Sequence, residues 1–382
     1  MPHTSGEEGR PPTSDAPRHP GEHHEYGPAH VHRAGGPPRR KKWRVITGAA
    51  LGLALVAGGG AAYAWSHLNG NLKSTDINAA LGKNRPDASH TGAMNILLLG
   101  SDSRAGTHGQ YGSGVVGARS DTAMVLHVDK THKKASVVSI PRDTMVERPA
   151  CAKPSGGTVP AARQAMFNEA YAVGGPACAV KTVEHMSGLR MDHFVEVDFT
   201  GFKKFVDELG GVDITTHRAI KDNASHLSLS AGKHTLKGEQ ALALVRTRHG
   251  VGDGSDLGRI QLQQAFIKAL IHRAESIGVV SDPVRAYDIA NTVTKSVSAD
   301  TGLASANKLL GLAKDLKGIK PADMHMITLP VRYDTQDAGR VLPLPKESRQ
   351  VWQALRADRP IPKSVTANSV GARTDSPVTA GA

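Results

Sequence analysis

The sequence predicts an α/β domain, a sheet covered by helices on both faces, carried on a single membrane anchor. Three observations predict it. Apolar runs of strand length alternate with segments of helical period, the pattern of a sheet between helix layers. The run MNILLLG, Met94 to Gly100, is apolar almost throughout and ends in glycine, as suits a strand buried on both faces. The stretch Val45 to Ser66 holds no charged residue. In helical form it rises roughly 33 Å, enough for a hydrocarbon core of about 30 Å.

Residues 1–44 are rich in Pro, Gly, His and charge and almost free of aliphatic residues. Such a stretch cannot bury enough apolar surface to offset its ordering entropy, so a disordered tail is expected. The basic run RRKKWR, Arg39 to Arg44, keeps that end cytoplasmic. A cleaved signal peptide has a shorter apolar run nearer the start, so residues 45–66 read as a single-pass anchor with everything beyond about His67 exported. Residues 67–91 read as a juxtamembrane spacer, 92–356 as the compact domain and 357–382 as a flexible tail rich in Pro, Ser, Thr and Ala.

Within the domain, TAMVLHVD (Thr122 to Asp129) and KASVVSI (Lys134 to Ile140) predict a hairpin, and HFVEVD (His193 to Asp198) a further strand. FKKFVDELGG, Phe202 to Gly211, has helical spacing and a Gly–Gly stop, after which VDI resumes a strand. GEQALALV, Gly238 to Val245, predicts a short helix. A long helix starts at Leu257, with Asp256 placed to cap it, and ANKLLGLAKDL, Ala306 to Leu316, is another.

The chain has 382 residues, 39% of them hydrophobic but only 4% aromatic, so an aliphatic core is expected and stacking on bases is not. The formal charge is +12. A basic balance suits nucleic acid, anionic lipid or a phosphate-rich polymer. Past Ser66 the chain holds 39 Lys and Arg against 30 Asp and Glu, so the positive charge faces outward and nucleic acid is excluded as the partner. The two cysteines, Cys151 and Cys178, both fall in the exported part, where a lone pair forms a disulfide, here bracing the irregular segment between them.

Three strand ends deliver charge into loops: GSDSRAG with Asp102 and Arg104, ARSDT with Arg119 and Asp121, and SIPRDT with Arg142 and Asp143. The stretch LVRTRHGVGDGSDLGRI adds Arg246, Arg248 and Arg259 around a glycine-rich loop. Converging guanidiniums repel unless an anion sits among them, and their forks match phosphate oxygens. Arg246 and Arg248 alternate with Thr247, so both point one way in an extended segment. Two carboxylates such as Asp102 and Asp121 suit Mg(2+), whose other positions substrate phosphates fill. The residues together read as a diphosphate site.

The motifs NILLLGSDSR, RSDT, SIPRDT, FNEAY, GVDI, LKGEQAL, VRTRH and DLGRIQLQQ resemble, in this order, the LytR-CpsA-Psr family over about residues 93–345. The resemblance implies an α–β–α sandwich with a central mixed sheet and an apolar tunnel for a lipid tail. It implies a phosphotransferase that moves a glycopolymer from a polyprenyl-pyrophosphate carrier to a peptidoglycan hydroxyl and releases polyprenyl phosphate. It implies Mg(2+) on Asp102 and Asp121, and pyrophosphate contacts from Arg119, Arg142, Arg246, Arg248, Arg259 and Gln263. Arg104 joins that set as a further expected contact. The family commonly reads GRxxRQQ; this chain reads GRIQLQQ, with Leu262 where an arginine is usual. Its spacing from Arg259 and Gln263 puts it on their helix face, so loss of a site cation is expected there. A non-catalytic scaffold and a pyrophosphatase are the alternative functions. The proton acceptor for the hydroxyl stays open between an arginine-bound water, Asp143 and a substrate oxygen.

Overall fold

The computed structural model describes residues 59–101, 120–252, 254–277, 282–372 and 376–381. A seven-stranded mixed sheet forms the centre. Its strands in chain order are β1 (Lys73–Thr75), β2 (Met94–Ser101), β3 (Ser120–Val128), β4 (Ala135–Ile140), β5 (His193–Asp198), β6 (Val297–Asp300) and β7 (Met324–Thr328), arranged β1-β6-β5-β2-β3-β4-β7. Strands β2, β3 and β4 form an antiparallel meander, β5 joins β2 in parallel, and β7 joins β4 in parallel.

Helices cover both faces, as the alternation of runs predicts. They are α1 (59–71), α2 (Ile77–Leu81), α3 (Phe167–Ser187), α4 (Phe199–Glu208), α5 (Gly238–Arg246), α6 (Asp256–Ser276), α7 (Pro283–Ser296), α8 (Ala306–Leu316) and α9 (Pro345–Arg356). On β2 and β3 the residues Leu97, Leu99, Ala123 and Val125 pack with α2, α3 and α9. Their neighbours Ile96, Met124, Leu126 and Val128 turn the other way, toward Ile267 of α6 and Leu312 and Leu316 of α8. Both alternating sets are apolar because both are buried. A second cluster joins α4, α5 and α6 to the strands Val212–Thr216, Gly232–Leu236 and Val378–Ala380, and to the hairpin Ile220–Asp222/Leu227–Leu229.

Two expected edges of the domain differ from the structure. The spacer 67–91 is built in: β1 pairs with β6, Ile77 and Leu81 are in the core, and Arg85 meets the buried Glu184 at 2.6 Å. The tail is built in as well: Ile361 and Val365 are buried, and Thr379 pairs with Thr215 in the strand around Val378. In both stretches a few isolated apolar residues make the contacts, too sparse to set a period. Residues 45–58 of the expected anchor lie outside the described residues, and among the described residues no helix is long and apolar enough to cross a membrane.

Cys151 and Cys178 are joined, as expected. The segment between them is more ordered than its composition suggests. It holds the pair Cys151–Ala152/Thr158–Val159, the strand Ala162–Met166 and the first half of α3. Gly174 fits there because an added Cβ would lie 2.5 Å from the Cys178 Cβ.

Candidate active site

The site lies where β3 begins, β4 ends and α5 and α6 face each other. Asp121 opens β3 and Arg142 follows β4; their side chains meet at 2.6 Å between Nη1 and Oδ1. Arg259 and Gln263 are one turn apart on α6 and face the same strand end. Arg259 Nη2 donates to the Asp121 carbonyl at 2.8 Å, and Gln263 Nε2 donates to Thr122 Oγ1 and to the Val245 carbonyl, both at 3.0 Å. Helix α5 ends at Arg246, whose guanidinium stacks 5.1 Å from the centre of the Phe199 ring. Arg248 follows the buried Thr247. The structure thus brings together Asp121, Arg142, Arg246, Arg248, Arg259 and Gln263. Asp102, Arg104 and Arg119 lie outside the described residues.

Asp256 corrects the sequence reading. The cap of α6 is Ser255, whose side chain accepts from Leu257 N. The Asp256 carboxylate, freed from capping, turns inward among the arginines. Its Oδ1 lies 2.5 Å from Arg259 Nη2, 3.6 Å from Arg142 Nε and 3.8 Å from Arg248 Nε. These are charge contacts: neither carboxylate oxygen has a hydrogen bond of acceptable geometry among the described residues. Sequence reasoning missed this role because aspartate before a helix fits a cap equally well.

The electrostatics separate the two carboxylates. Burial raises the Asp121 carboxyl, but Arg259, Arg142 and Arg248 outweigh it and hold the group below its ordinary value. For Asp256 burial prevails over the pull of Arg259 and Arg142, aided by repulsion from Asp143, and its carboxyl is pushed up. Burial also lowers the Arg259 guanidinium, helped by Arg248 and Arg142 and opposed by Asp256. At Arg142 burial is outweighed by Asp256 and Asp121, so its guanidinium is held more firmly protonated.

Behind the charged mouth is an apolar cavity of about 450 Å³. Its walls come from the sheet (Leu98, Met124, Val195, Val197), from α4 (Phe199, Phe202, Phe205), from α6 (Phe266, Ile267, Leu270) and from the end of α7 (Val293). Asp121, Arg246, Arg248, Arg259 and Gln263 stand at the mouth. The chain has six phenylalanines, and four of them line this wall, so its aromatic content is concentrated rather than merely low. Three fall at i, i+3 and i+6 on α4, a spacing visible in FTGFKKF but absorbed by the general reading of a helix.

Leu262 is fully buried in the second cluster with Leu244, Val251 and Phe266, and it does not line the cavity. The expected loss of a site cation is therefore corrected. Position 262 turns away from the face that carries Arg259 and Gln263 to the mouth.

The LytR_cpsA_psr family model matches residues 64–357. The chain belongs to this family. The teichoic acid transferase TagT of Bacillus subtilis (polyisoprenyl-teichoic acid–peptidoglycan teichoic acid transferase) is 32% identical over 312 residues, covering 78% of this chain and 88% of TagT. The probable cell wall biosynthesis protein LcpB of Corynebacterium glutamicum is 34% identical over 57% of this chain and 52% of its own length. Among solved structures, TagT bound to LIIa-WTA superposes with a TM-score of 0.52 at 29% identity, over 72% of this chain and 94% of that one. The LytR-Csp2A-Psr enzyme of Actinomyces oris shares the fold with a TM-score of 0.57 at 24% identity, over 75% and 96% of the two chains.

Proposed function

We propose that this chain is a membrane-anchored, exported phosphotransferase. It moves a glycopolymer from a polyprenyl-pyrophosphate carrier to a peptidoglycan hydroxyl, forms a phosphodiester and releases polyprenyl phosphate. The observation that carries the reading is the junction itself: an apolar cavity of about 450 Å³ opens onto Arg246, Arg248 and Arg259. A ligand with a hydrocarbon tail and an anionic head fits that junction. Kinship with TagT, named for transfer to peptidoglycan, supports the donor and acceptor classes.

In the reaction the acceptor oxygen bonds to the phosphorus that carries the glycan. The bond from that phosphorus to the bridging oxygen breaks, polyprenyl phosphate leaves with the electron pair, and the acceptor hydroxyl's proton passes to solvent or to the departing phosphate. Arg142, Arg246, Arg248 and Arg259 hold the pyrophosphate oxygens and offset the charge that grows on the bridging oxygen. Arg104 and Arg119 are assigned to the same head group. Gln263, fastened to Thr122 and Val245, keeps β3, α5 and α6 in register around it.

Mg(2+) is proposed as cofactor, on Asp121 and Asp102. Asp121 fits, since the surrounding arginines keep its carboxylate ionised and a hard cation takes such an oxygen along with phosphate oxygens. Bound there, the ion supplies charge stabilisation to the phosphates.

The test uses the full-length protein in detergent with a polyprenyl-pyrophosphoryl sugar and peptidoglycan fragments, with and without Mg(2+), beside Arg246→Ala. Sugar appearing on the fragments, lost in the variant by about 100-fold or more, is the expected result. Release of lipid phosphate without transfer points instead to a pyrophosphatase. Tight lipid binding without turnover under any acceptor leaves a scaffold.

A further inference from the structure

We infer that Asp222 is a positioning residue for the anion site: it fixes the loop that aims Arg248 into the cleft. The inference rests on the reading of Arg248 as a pyrophosphate ligand. Asp222 ends the first strand of the hairpin Ile220–Asp222/Leu227–Leu229 and is 2% exposed. Its Oδ2 accepts from the backbone N–H of Arg248 at 2.9 Å and of His249 at 3.0 Å. Its Oδ1 accepts from Ala224 N at 2.9 Å and lies 3.3 Å from His249 Nδ1. The four partners are three backbone amides and one imidazole, so the carboxylate holds the path of the loop rather than neutralising a guanidinium.

The hairpin grips the loop at a second point. Thr247 has extended backbone and a fully buried side chain, its Oγ1 2.7 Å from Ser225 Oγ and donating to the Ala243 carbonyl at 2.8 Å. Side chains alternate along an extended segment. Arg246 still belongs to α5, so the alternation acts on the next residues: with Thr247 extended and held on the hairpin side, Arg248 is directed to the cavity mouth. Gly250 then turns the chain at φ +77°, where an added Cβ would come within 2.9 Å of the Lys221 carbonyl. An arginine on a connection between helices would otherwise spend much of its binding energy on ordering.

The test is a double-mutant cycle in the full-length protein, read as binding of a polyprenyl-pyrophosphoryl sugar and as transfer. Asp222→Asn keeps the shape but leaves a single acceptor oxygen. It is expected to weaken binding roughly 10- to 100-fold, the scale for losing hydrogen bonds to a charged group. In an Arg248→Ala background the same change is expected to cost less than about twofold, because its effect passes through Arg248. Asp300→Asn, which disturbs the buried contact with His193 and Phe194 N, is the structural comparison and multiplies with Arg248→Ala. An equal loss from Asp222→Asn with and without Arg248 overturns the inference. Should Asp222→Asn not fold, Ser225→Ala releases the Thr247 grip and a long bond to the Asp222 carbonyl while leaving the carboxylate's contacts in place, and its loss must show the same dependence on Arg248. If Arg248→Ala alone leaves binding unchanged, the pyrophosphate reading fails first and this inference with it.

Discussion

The two faces of the sheet are built from the same strands, yet one is filled and the other is not. On the face toward α3 and α9, Val125 and Val138 meet Phe167, Phe194 and Trp352, all at most 3% exposed. On the opposite face Leu98, Met124 and Val195 look into a cavity of about 450 Å³, although four phenylalanines stand around it. Protein interiors close such spaces where they can, since a void forfeits packing energy. An unfilled space ringed by aromatic side chains and opening on guanidiniums is the feature on which the proposed carrier site rests. Apolar pattern thus specifies burial, but not which part of the buried space is left unfilled.

Parallel substitutions on the two faces should have different effects. The largest effect is expected from Leu262→Arg, which puts a guanidinium into the closed cluster beside α6 rather than into the site. It should cost upward of ~3 kcal/mol in denaturant unfolding without any gain in lipid affinity. A stable variant that binds the carrier more tightly would mean that position 262 does reach the mouth. Next, Phe167→Ala on the filled face should cost about 3–5 kcal/mol. Phe202→Ala, at the cavity wall, should cost clearly less and instead weaken binding of the polyprenyl chain; equal losses of stability would erase the distinction between the faces.

Overpacking sharpens it further. Val138→Phe is expected to destabilise by about 1–3 kcal/mol, whereas Val197→Phe, growing into the cavity, should leave the melting temperature nearly unchanged and abolish lipid binding. The smallest effect concerns neither face. Asp129, in the turn between β3 and β4, is held down to about 2 because hydrogen bonds from Thr131, Lys134 and Lys133 outweigh burial. A depressed carboxylate stabilises fully above its ordinary value of 3.8 and loses that contribution as pH falls toward 2. The stability gap between the native chain and Asp129→Asn should therefore close over that window in an acid titration followed by circular dichroism.

Much of this was legible beforehand, for physical reasons. Strands β2 to β5 and the long helix α6 announce themselves because burial on one or two faces imposes a period. Arginines at strand ends and around Gly250 stand out because like charges do not cluster without cause. What stayed hidden depends on single residues or on long-range pairing. Strand β1 has three residues, all exposed, and is defined only by its partner β6. Asp256 carries the same signal as a cap or as a buried carboxylate, and only the neighbouring Ser255 decides which. Leu262 and Gln263 are adjacent in sequence, but the step of about 100° per residue along α6 sends them to opposite duties.

The pairing of residues 378–380 with 212–216 bears on how the molecule comes to exist. Ile214 waits for Ala380, so the small sheet beneath α4, α5 and α6 closes only after most of the domain has been delivered. A chain made from its amino end meets that partner late, and contacts so distant in sequence form slowly. Until then the cavity wall lacks its backing strand. Chain order thus sets the order of assembly: the central sheet can mature first, and the half that walls the cavity is completed only once residues 378–380 have arrived.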